Sequence, residues 1–330
     1  MAAEEVVLAA LREALLDRHQ GPVVALLSGG PDSVCLLDGL LRTYRGRRLV
    51  ALHVNYRLRP EAEAEEVHCR ELCAALGVEL QVCKAEPPPP ENLHAWARQL
   101  RYREAVRLAR SLEEPGLPGL VATGHTADDQ LETVLYRLCV SPGRRALVGM
   151  RPRRGRLVRP LLGVWRPQVY AYLRSRGLPW REDPSNLEGR FARARVRTQL
   201  REALRAVHPA AERNVLRTAS QLREEGELLE ALVERELAGA AALPAQRLAA
   251  LDPALARLLL VALAERATGR YVPQAAHRLG EVVALIRASH GGAQRRELHL
   301  GGGATAVVEG GMLRVVSLQR EGGKAGKANS

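Results

Sequence analysis

The sequence predicts an α/β protein: a parallel sheet with crossover helices, followed by a helical linker and a small α+β C-terminal domain. Three observations carry this. The first half of the 330 residues alternates short apolar β-type runs with helix-period patterns, as parallel sheets with crossover helices do. The composition shifts beyond residue 141, and glycine-punctuated β-type runs close the chain. At roughly 100–200 residues per domain, the length accommodates two domains.

In chain order, strands are expected at 23–27, 49–54, 78–83 and 120–123, with helices near 32–43, 61–76, 93–110 and 127–140. The start, MAAEEVVLAALREALL, is acidic and amphipathic, unlike a secretory signal or a transit peptide. The longest apolar run, 258–264, is far too short to span a bilayer, so no membrane association is expected and a cytoplasmic protein is. Four prolines at 87–90 mark a stiff loop, and Asn92 is placed to cap the helix after it. From 193 to 238 the pattern is helical, interrupted at Pro209, and helices near 252–267 and 274–289 follow. RRELHL, TAVVE and LRVVSL read as a small β meander, and EGGKAGKANS as a disordered tail. The expected division is therefore 1–190 for the sheet domain, 191–239 for a helical linker, 240–320 for a small α+β domain and 321–330 for the tail.

A 46% hydrophobic and 26% charged composition is that of a soluble globular chain, and 3% aromatics leave the packing to aliphatic residues. The net charge of +12 points to a polyanionic partner such as nucleic acid. It is concentrated: between 141 and 223, twenty arginines stand against five acids. Five cysteines form no C-x-x-C pair, and their odd number argues for reduced thiols rather than a disulfide framework.

Two stretches carry chemistry. Ser28-Gly29-Gly30-Pro31-Asp32-Ser33 follows an apolar strand and opens a helix. Glycines there let backbone amides approach an anion, the helix start adds favourable partial charge, and two serines offer hydroxyls, which together make a phosphate cradle. The order is neither G-x-x-x-x-G-K-[ST] nor G-x-G-x-x-G. The second stretch runs from Thr123 through Gly124, His125, Asp128, Asp129 and Glu132 to Thr133, again after an apolar strand. On a helix, Asp128 and Asp129 lie four and three residues before Glu132, so the three carboxylates share a face with an exposed His125 near its start. Leu131, Val134, Leu135 and Leu138 form a separate stripe expected to pack on the sheet. Two acids in a first turn also complement the helix dipole, but a third acid and a histidine beside them suit Mg²⁺, an ammonium group, or both.

SGGPDS resembles the PP-loop of ATP pyrophosphatases. With it, the second stretch closely resembles the T-G-H-x-x-D-D-Q-x-E-T pattern of the tRNA(Ile)-lysidine synthetase family, in its shorter form with one small C-terminal domain. Further segments match in order: His53-Val54-Asn55, Ala97-Arg98-Gln99-Leu100-Arg101-Tyr102, Arg159-Pro160-Leu161, Glu182-Asp183-Pro184-Ser185-Asn186 and the stretch 214–225. The family usually has His-Gly where Tyr56 and Arg57 stand, R-G-x-G where Cys139-Val140-Ser141-Pro142-Gly143 stands, and an asparagine at Ala194.

The resemblance implies a Rossmann-like PP-loop domain that binds ATP and Mg²⁺ and acts on a tRNA(Ile) with a CAU anticodon and free L-lysine. The wobble cytidine is adenylated and then joined to lysine, giving lysidine, AMP and pyrophosphate. Implied nucleotide contacts are Ser28, Gly29, Gly30, Pro31, Asp32, Ser33, His53, Asn55, Arg98, Arg101 and Gly124. Asp32 and Asp129 are the implied metal ligands. Asp128, Asp129 and Glu132 are expected to hold lysine and metal, His125 to contact the reacting base, and Arg193, Arg195 and Arg197 to meet tRNA phosphates. A PP-loop tRNA thiolase is disfavoured because no C-x-x-C is present. A non-catalytic RNA-binding module would explain the arginines but not the acidic cluster beside a phosphate loop. The oligomeric state is left open, a homodimer included.

Overall fold

A computed structural model describes residues 2–14, 18–58, 60–86, 92–140, 143–182, 192–289 and 294–317. The chain divides into two compact units, 1–223 and 224–330.

The first unit contains α1 (Ala3–Glu13), β1 (Val23–Leu26), α2 (Pro31–Thr43), β2 (Leu49–Asn55), α3 (Glu61–Leu76), β3 (Glu79–Lys84), α4 (Leu93–Ser111), β4 (Leu120–Ala122), α5 (Ala127–Val140), α6 (Arg144–Leu147), β5 (Arg153–Arg154), β6 (Leu157–Val158) and α7 (Arg166–Arg176). α8 (Ala192–Arg195) then runs into a π-helical turn, Val196–Leu200, and α9 (Arg201–Val207). The six strands lie in the order β3-β2-β1-β4-β6-β5, all parallel except the β5–β6 pair. The chain steps outward from β1 to β3 and then returns to the other side of β1. That makes the β1–β4 junction the point where the connection order reverses, and in open α/β sheets ligands bind outside the carboxyl ends of such a pair.

The pleat explains why both faces are covered. Val23, Ala25 and Leu27 pack with α1, α2, α3 and α7, while Val24 and Leu26 pack with Leu100, Ala105 and Ala109 of α4. On the first face a buried polar knot ties α2 to α7: Asp38, 2% exposed, accepts from Tyr172 and from Arg176 Nε at 3.1 Å. Arg42, one turn further along α2, pairs with Glu4 of α1.

The second unit begins within α10 (Ala211–Leu237) and adds β7 (Ala242–Pro244), α11 (Ala245–Ala250), α12 (Pro253–Thr268), α13 (Gln274–His277), α14 (Leu279–Ala288), β8 (Arg296–Gly301), β9 (Ala304–Glu309) and β10 (Met312–Ser317). Its antiparallel sheet, ordered β7-β10-β9-β8, packs on α12 and α14 around Leu259, Leu260, Val282, Ala306 and Leu313. No described helix is long and apolar enough to cross a membrane.

The four expected strands and the meander are present, and the helical run breaks between α9 and α10 around Pro209 as expected. Three expectations are corrected. Asn92 makes no side-chain cap hydrogen bond, although its carbonyl accepts from the Trp96 amide at 3.1 Å, and it sits at φ 57°. His125 is half-buried rather than exposed. The α5 stripe does not lie on the sheet: Leu131 and Leu135 cluster with Val196, with Leu200, Leu204, Val215 and Leu216 packed against them, and Leu138 is 59% exposed. The helices after residue 192 offer α5 a matching apolar face. Of the segments singled out by sequence, Pro87–Pro90, Ser141, Pro142, Asp183–Asn186, the Arg193 side chain and the tail lie outside the described residues.

Candidate active site

The loops after β1 and β4 meet at the switch point. Gly29 takes φ +81°, a left-handed conformation open to glycine, which lets the chain turn sharply out of the sheet. Ser33 Oγ accepts from the Ser28 amide at 3.1 Å and donates to Gly30 O at 2.9 Å, and Ser28 Oγ lies 3.2 Å from it. The loop is thus fixed by its own hydroxyls before any ligand arrives. Gly30 caps α2 and Pro31, which has no N–H to leave unpaired, supplies its first residue, while the Ser33 and Val34 amides donate to Gly30 O at 3.1 and 3.0 Å. Gly124 is needed for close approach: a Cβ there would stand 2.7 Å from the Asp32 carbonyl oxygen and 3.1 Å from the Ser33 nitrogen. The phosphate loop and the start of the acidic stretch are therefore in backbone contact.

Asp129 occupies the third position of α5 and reaches back to the Thr126 amide at 2.9 Å and hydroxyl at 3.1 Å, which closes the helix start. Its other oxygen accepts from Arg166 Nη2 at 2.9 Å. Arg166, the first residue of α7, also lies 3.5 Å from Asp32 Oδ2 and 3.8 Å from Glu132. Glu132 takes a two-pronged bond from Arg197 of the π turn, at 2.6 and 3.0 Å. Asp128 is buried under Arg201, 2.7 Å away, and accepts from the Arg166 amide at 2.8 Å. Arg201 is only 6% exposed and is held from its far side by Glu212 at 2.7 Å. Four carboxylates thus converge with three guanidiniums, and Asp128 is turned away from the cleft.

That cleft, about 240 Å³, is lined by Arg98 and Arg101 of α4, His125, and Asp129, Glu132 and Thr133 of α5, among others. Its lining carries both signs of charge, with Arg98, Arg101 and Arg137 beside Asp129 and Glu132. Burial pushes the His125 imidazole down to about 4, an effect opposed by Asp129 and reinforced by Arg159, Arg98 and Arg101, so the ring is neutral near pH 7. Its Nδ1 lies 2.7 Å from Thr123 Oγ1. Burial raises Asp32 to about 7 against the pull of Arg166, with Asp129 adding to the rise. Asp32 Oδ1 is buried with no hydrogen-bond partner among the described residues.

Mg²⁺ fits this donor set. It is usually held by one or two carboxylates together with substrate phosphates, and Asp32 presents an unsatisfied hard oxygen beside Asp129. Among the described residues no three His, Cys, Asp or Glu side chains are grouped to hold a metal ion by themselves.

The other expected contacts lie further out. His53 Nδ1 lies 3.0 Å from Leu27 O, and Asn55 is engaged by Glu66 at 2.9 Å and by the Arg57 amide at 3.0 Å. Arg57 adopts φ 54°, a left-handed conformation that favours glycine. Arg195 is exposed. Cys35, Cys69 and Cys73 are buried thiols raised by desolvation, Cys69 to about 12 and Cys73 to about 11. Sequence reasoning missed Arg166 and Arg201. Pro167, at the start of α7, and Gly177, which ends it, were the available signals for the helix that carries Arg166.

A phosphate-cradling loop at the switch point of a parallel sheet, faced by carboxylates, defines a nucleotide-handling α/β domain. The chain belongs to the PP-loop domain family, whose profile matches residues 4–204. It is 39% identical over 222 residues to a tRNA(Ile)-lysidine synthase of Pseudomonas syringae pv. tomato, covering 65% of this chain and 48% of that protein. A tRNA(Ile)-lysidine synthase of Thermus thermophilus is 39% identical over 234 residues (69% and 45%), and one of Azoarcus sp. 37% over 278 residues (80% and 60%). The chain spans about half the length of the curated relatives it matches. Among solved structures, the U34-tRNA thiolase NcsA of Methanococcus maripaludis with its [4Fe-4S] cluster superposes with a TM-score of 0.55 at 16% identity. That match covers 67% of this chain and 78% of that one, and is a likeness of fold.

Proposed function

We propose that this chain is an ATP-dependent ligase that joins free L-lysine to carbon 2 of the wobble cytidine of a tRNA(Ile) with a CAU anticodon. The observation that carries the reading is the close backbone approach of Gly124, at the start of the acidic stretch, to Asp32 and Ser33 of the SGGPDS loop, which brings a phosphate cradle beside a helix whose cleft is lined by both carboxylates and guanidiniums. The relatives' names supply the substrate class.

ATP lies along Ser28–Ser33, where preorganised amides and hydroxyls meet its phosphates. The cytidine 2-oxygen attacks the α-phosphorus, pyrophosphate leaves, and the base becomes adenylated. The lysine ε-amine then attacks carbon 2, and AMP departs with the oxygen. Neutral His125, oriented by Thr123, is placed to hydrogen-bond the reacting base rather than to add charge. Asp129 and Glu132, which line the cleft, receive the lysine ammonium, while Asp128 under Arg201 holds the frame. Mg²⁺ held by Asp32 and Asp129 would neutralise phosphate charge. Arg98 and Arg101 complete the anionic-ligand side of the cleft, with His53 and Asn55 behind the nucleotide. Arg195, with Arg193, meets tRNA phosphates, whereas Arg197 serves Glu132. The reaction takes place in the cytoplasm, by a monomer or a homodimer.

The test is incorporation of radiolabelled lysine into an unmodified tRNA(Ile) transcript bearing CAU. Label should enter only with ATP, with AMP and pyrophosphate released in equal amounts. Absence of label, or label entering a transcript with another anticodon equally well, refutes the assignment.

A further inference from the structure

We propose that Arg166 is the resident counter-ion of the acidic cluster: it closes the cluster in the free protein, gives way to a divalent cation, and is then available to the nucleotide's phosphates. This rests on the reading that SGGPDS and α5 form a nucleotide site.

One guanidinium bridges carboxylates from two loops, Asp129 at 2.9 Å, Asp32 at 3.5 Å and Glu132 at 3.8 Å. The three arginines around the cluster are not equivalent. Arg201 is gripped on both sides by Asp128 and Glu212, and Arg197 makes a two-pronged bond to Glu132. Arg166 spreads longer contacts over three partners and keeps 24% of its side chain exposed. Its departure strands a carboxylate only at Asp32, where the incoming cation would bind. Asp129 would keep the Thr126 amide and hydroxyl, and Glu132 would keep Arg197. Asp32 Oδ1 already has no partner and stands to gain one.

Placement supports the exchange. The guanidinium reaches the first turns of α2 and α5, and helix starts favour anions, so only the carboxylates hold a cation there. The first turn of α7 itself carries no acid. A small divalent cation takes over the carboxylates with higher charge density, and the freed guanidinium faces the loop that cradles phosphate. The Arg166 amide, bonded to Asp128 Oδ2 at 2.8 Å, keeps the main chain fixed, so the exchange is a side-chain rotation.

The experiment uses the full chain stripped with EDTA, without nucleotide or tRNA. Free Mn²⁺ is followed by electron paramagnetic resonance, and inorganic pyrophosphate binding at saturating Mn²⁺ by calorimetry. Arg166→Met should bind Mn²⁺ about tenfold more tightly than the wild type and pyrophosphate about tenfold more weakly. Arg166→Lys should restore both towards wild type, and Arg174→Met, on an exposed position of the same helix, should change neither. A merely structural arginine would weaken both ligands together. If Arg166→Met melts early, Arg166→Gln carries the same expected signs. Unchanged or weaker Mn²⁺ binding, or unchanged pyrophosphate binding, overturns the proposal. Neither readout involves lysine or tRNA, so loss of the ligase assignment and loss of this one are separate results.

Discussion

Replacing Gly124 by alanine tests the packing on which the site depends. The added methyl would stand 2.7 Å from the Asp32 carbonyl oxygen, 2.9 Å from its carbon and 3.1 Å from the Ser33 nitrogen. Carbon atoms settle at about 3.3–3.6 Å from such oxygens even in their closest favourable contacts, so the two loops must part by about 0.6 Å or more. All three neighbours are backbone, and no side chain can swing aside. Overpacking of this kind costs about 1–3 kcal/mol, which in a unit of this size lowers the melting temperature by roughly 2–12 °C. The functional effect should be larger in proportion, because a displacement approaching 1 Å at a reacting centre costs up to about 10²-fold. ATP affinity measured by calorimetry should fall about tenfold, and adenylation should slow further. Gly163→Ala is the control, since nothing lies within 4 Å of a Cβ there. If Gly124→Ala binds ATP like the wild type and melts within about 1 °C of it, the loops are not in contact and the cradle is not positioned by α5.

Arg201→Met should destabilise the first unit by about 3–5 kcal/mol in a denaturant titration, because Asp128 and Glu212 lose the charge buried between them; a loss below about 1 kcal/mol would mean that water replaces it. Asp32 sets a pH dependence. Its carboxyl, near 3.8 when unperturbed, holds its proton to about 7 in the folded chain, so the native state binds more protons than the unfolded one between those values and stability falls as pH rises through that window. Asp32→Asn should therefore stabilise the fold at pH 8, by on the order of 4 kcal/mol, and make no difference near pH 3. A substitution that destabilises at pH 8 would contradict the direction of the shift. Arg57→Gly should stabilise by about 1 kcal/mol by relieving a left-handed residue, and an unchanged or lower melting temperature would show that glycine's greater freedom in the unfolded chain offsets the strain.

What could be read in the sequence was what lies within contiguous runs. The strands β1 to β4 announce themselves by apolar runs, and the two motifs carry their chemistry within a few residues, so Ser28–Ser33 and His125–Glu132 were identifiable before any fold. β5 and β6, two residues each, are too short for a period to register. α7 was missed although Val169, Tyr172 and Leu173 give it an apolar face, because arginines and a proline dilute the pattern. Leu138 has the spacing of a core residue, but its stripe finds its partner in α8 and the helices beyond, so spacing alone misplaced it. Arg166 and Arg201 could not be singled out from twenty arginines: their meaning lies in distance to Asp32, Asp128 and Asp129, which only the fold supplies.

The knot formed by Asp38, Tyr172 and Arg176 lies well behind the chemistry. Asp38 is six residues beyond Asp32 along α2, about 9 Å, and Arg176 ten residues beyond Arg166 along α7, about 15 Å. The two helices that deliver the phosphate loop and the bridging arginine are therefore braced like the legs of a clamp riveted below its jaws. Opening the jaws by tilting either leg would pull a guanidinium and a phenol off a carboxylate shielded from water. Ligands must be accommodated by side chains rather than by the frame. A lesion at Asp38 would then loosen the grip on nucleotide while leaving every residue that touches it intact, so harmful changes in this domain are not confined to the cleft.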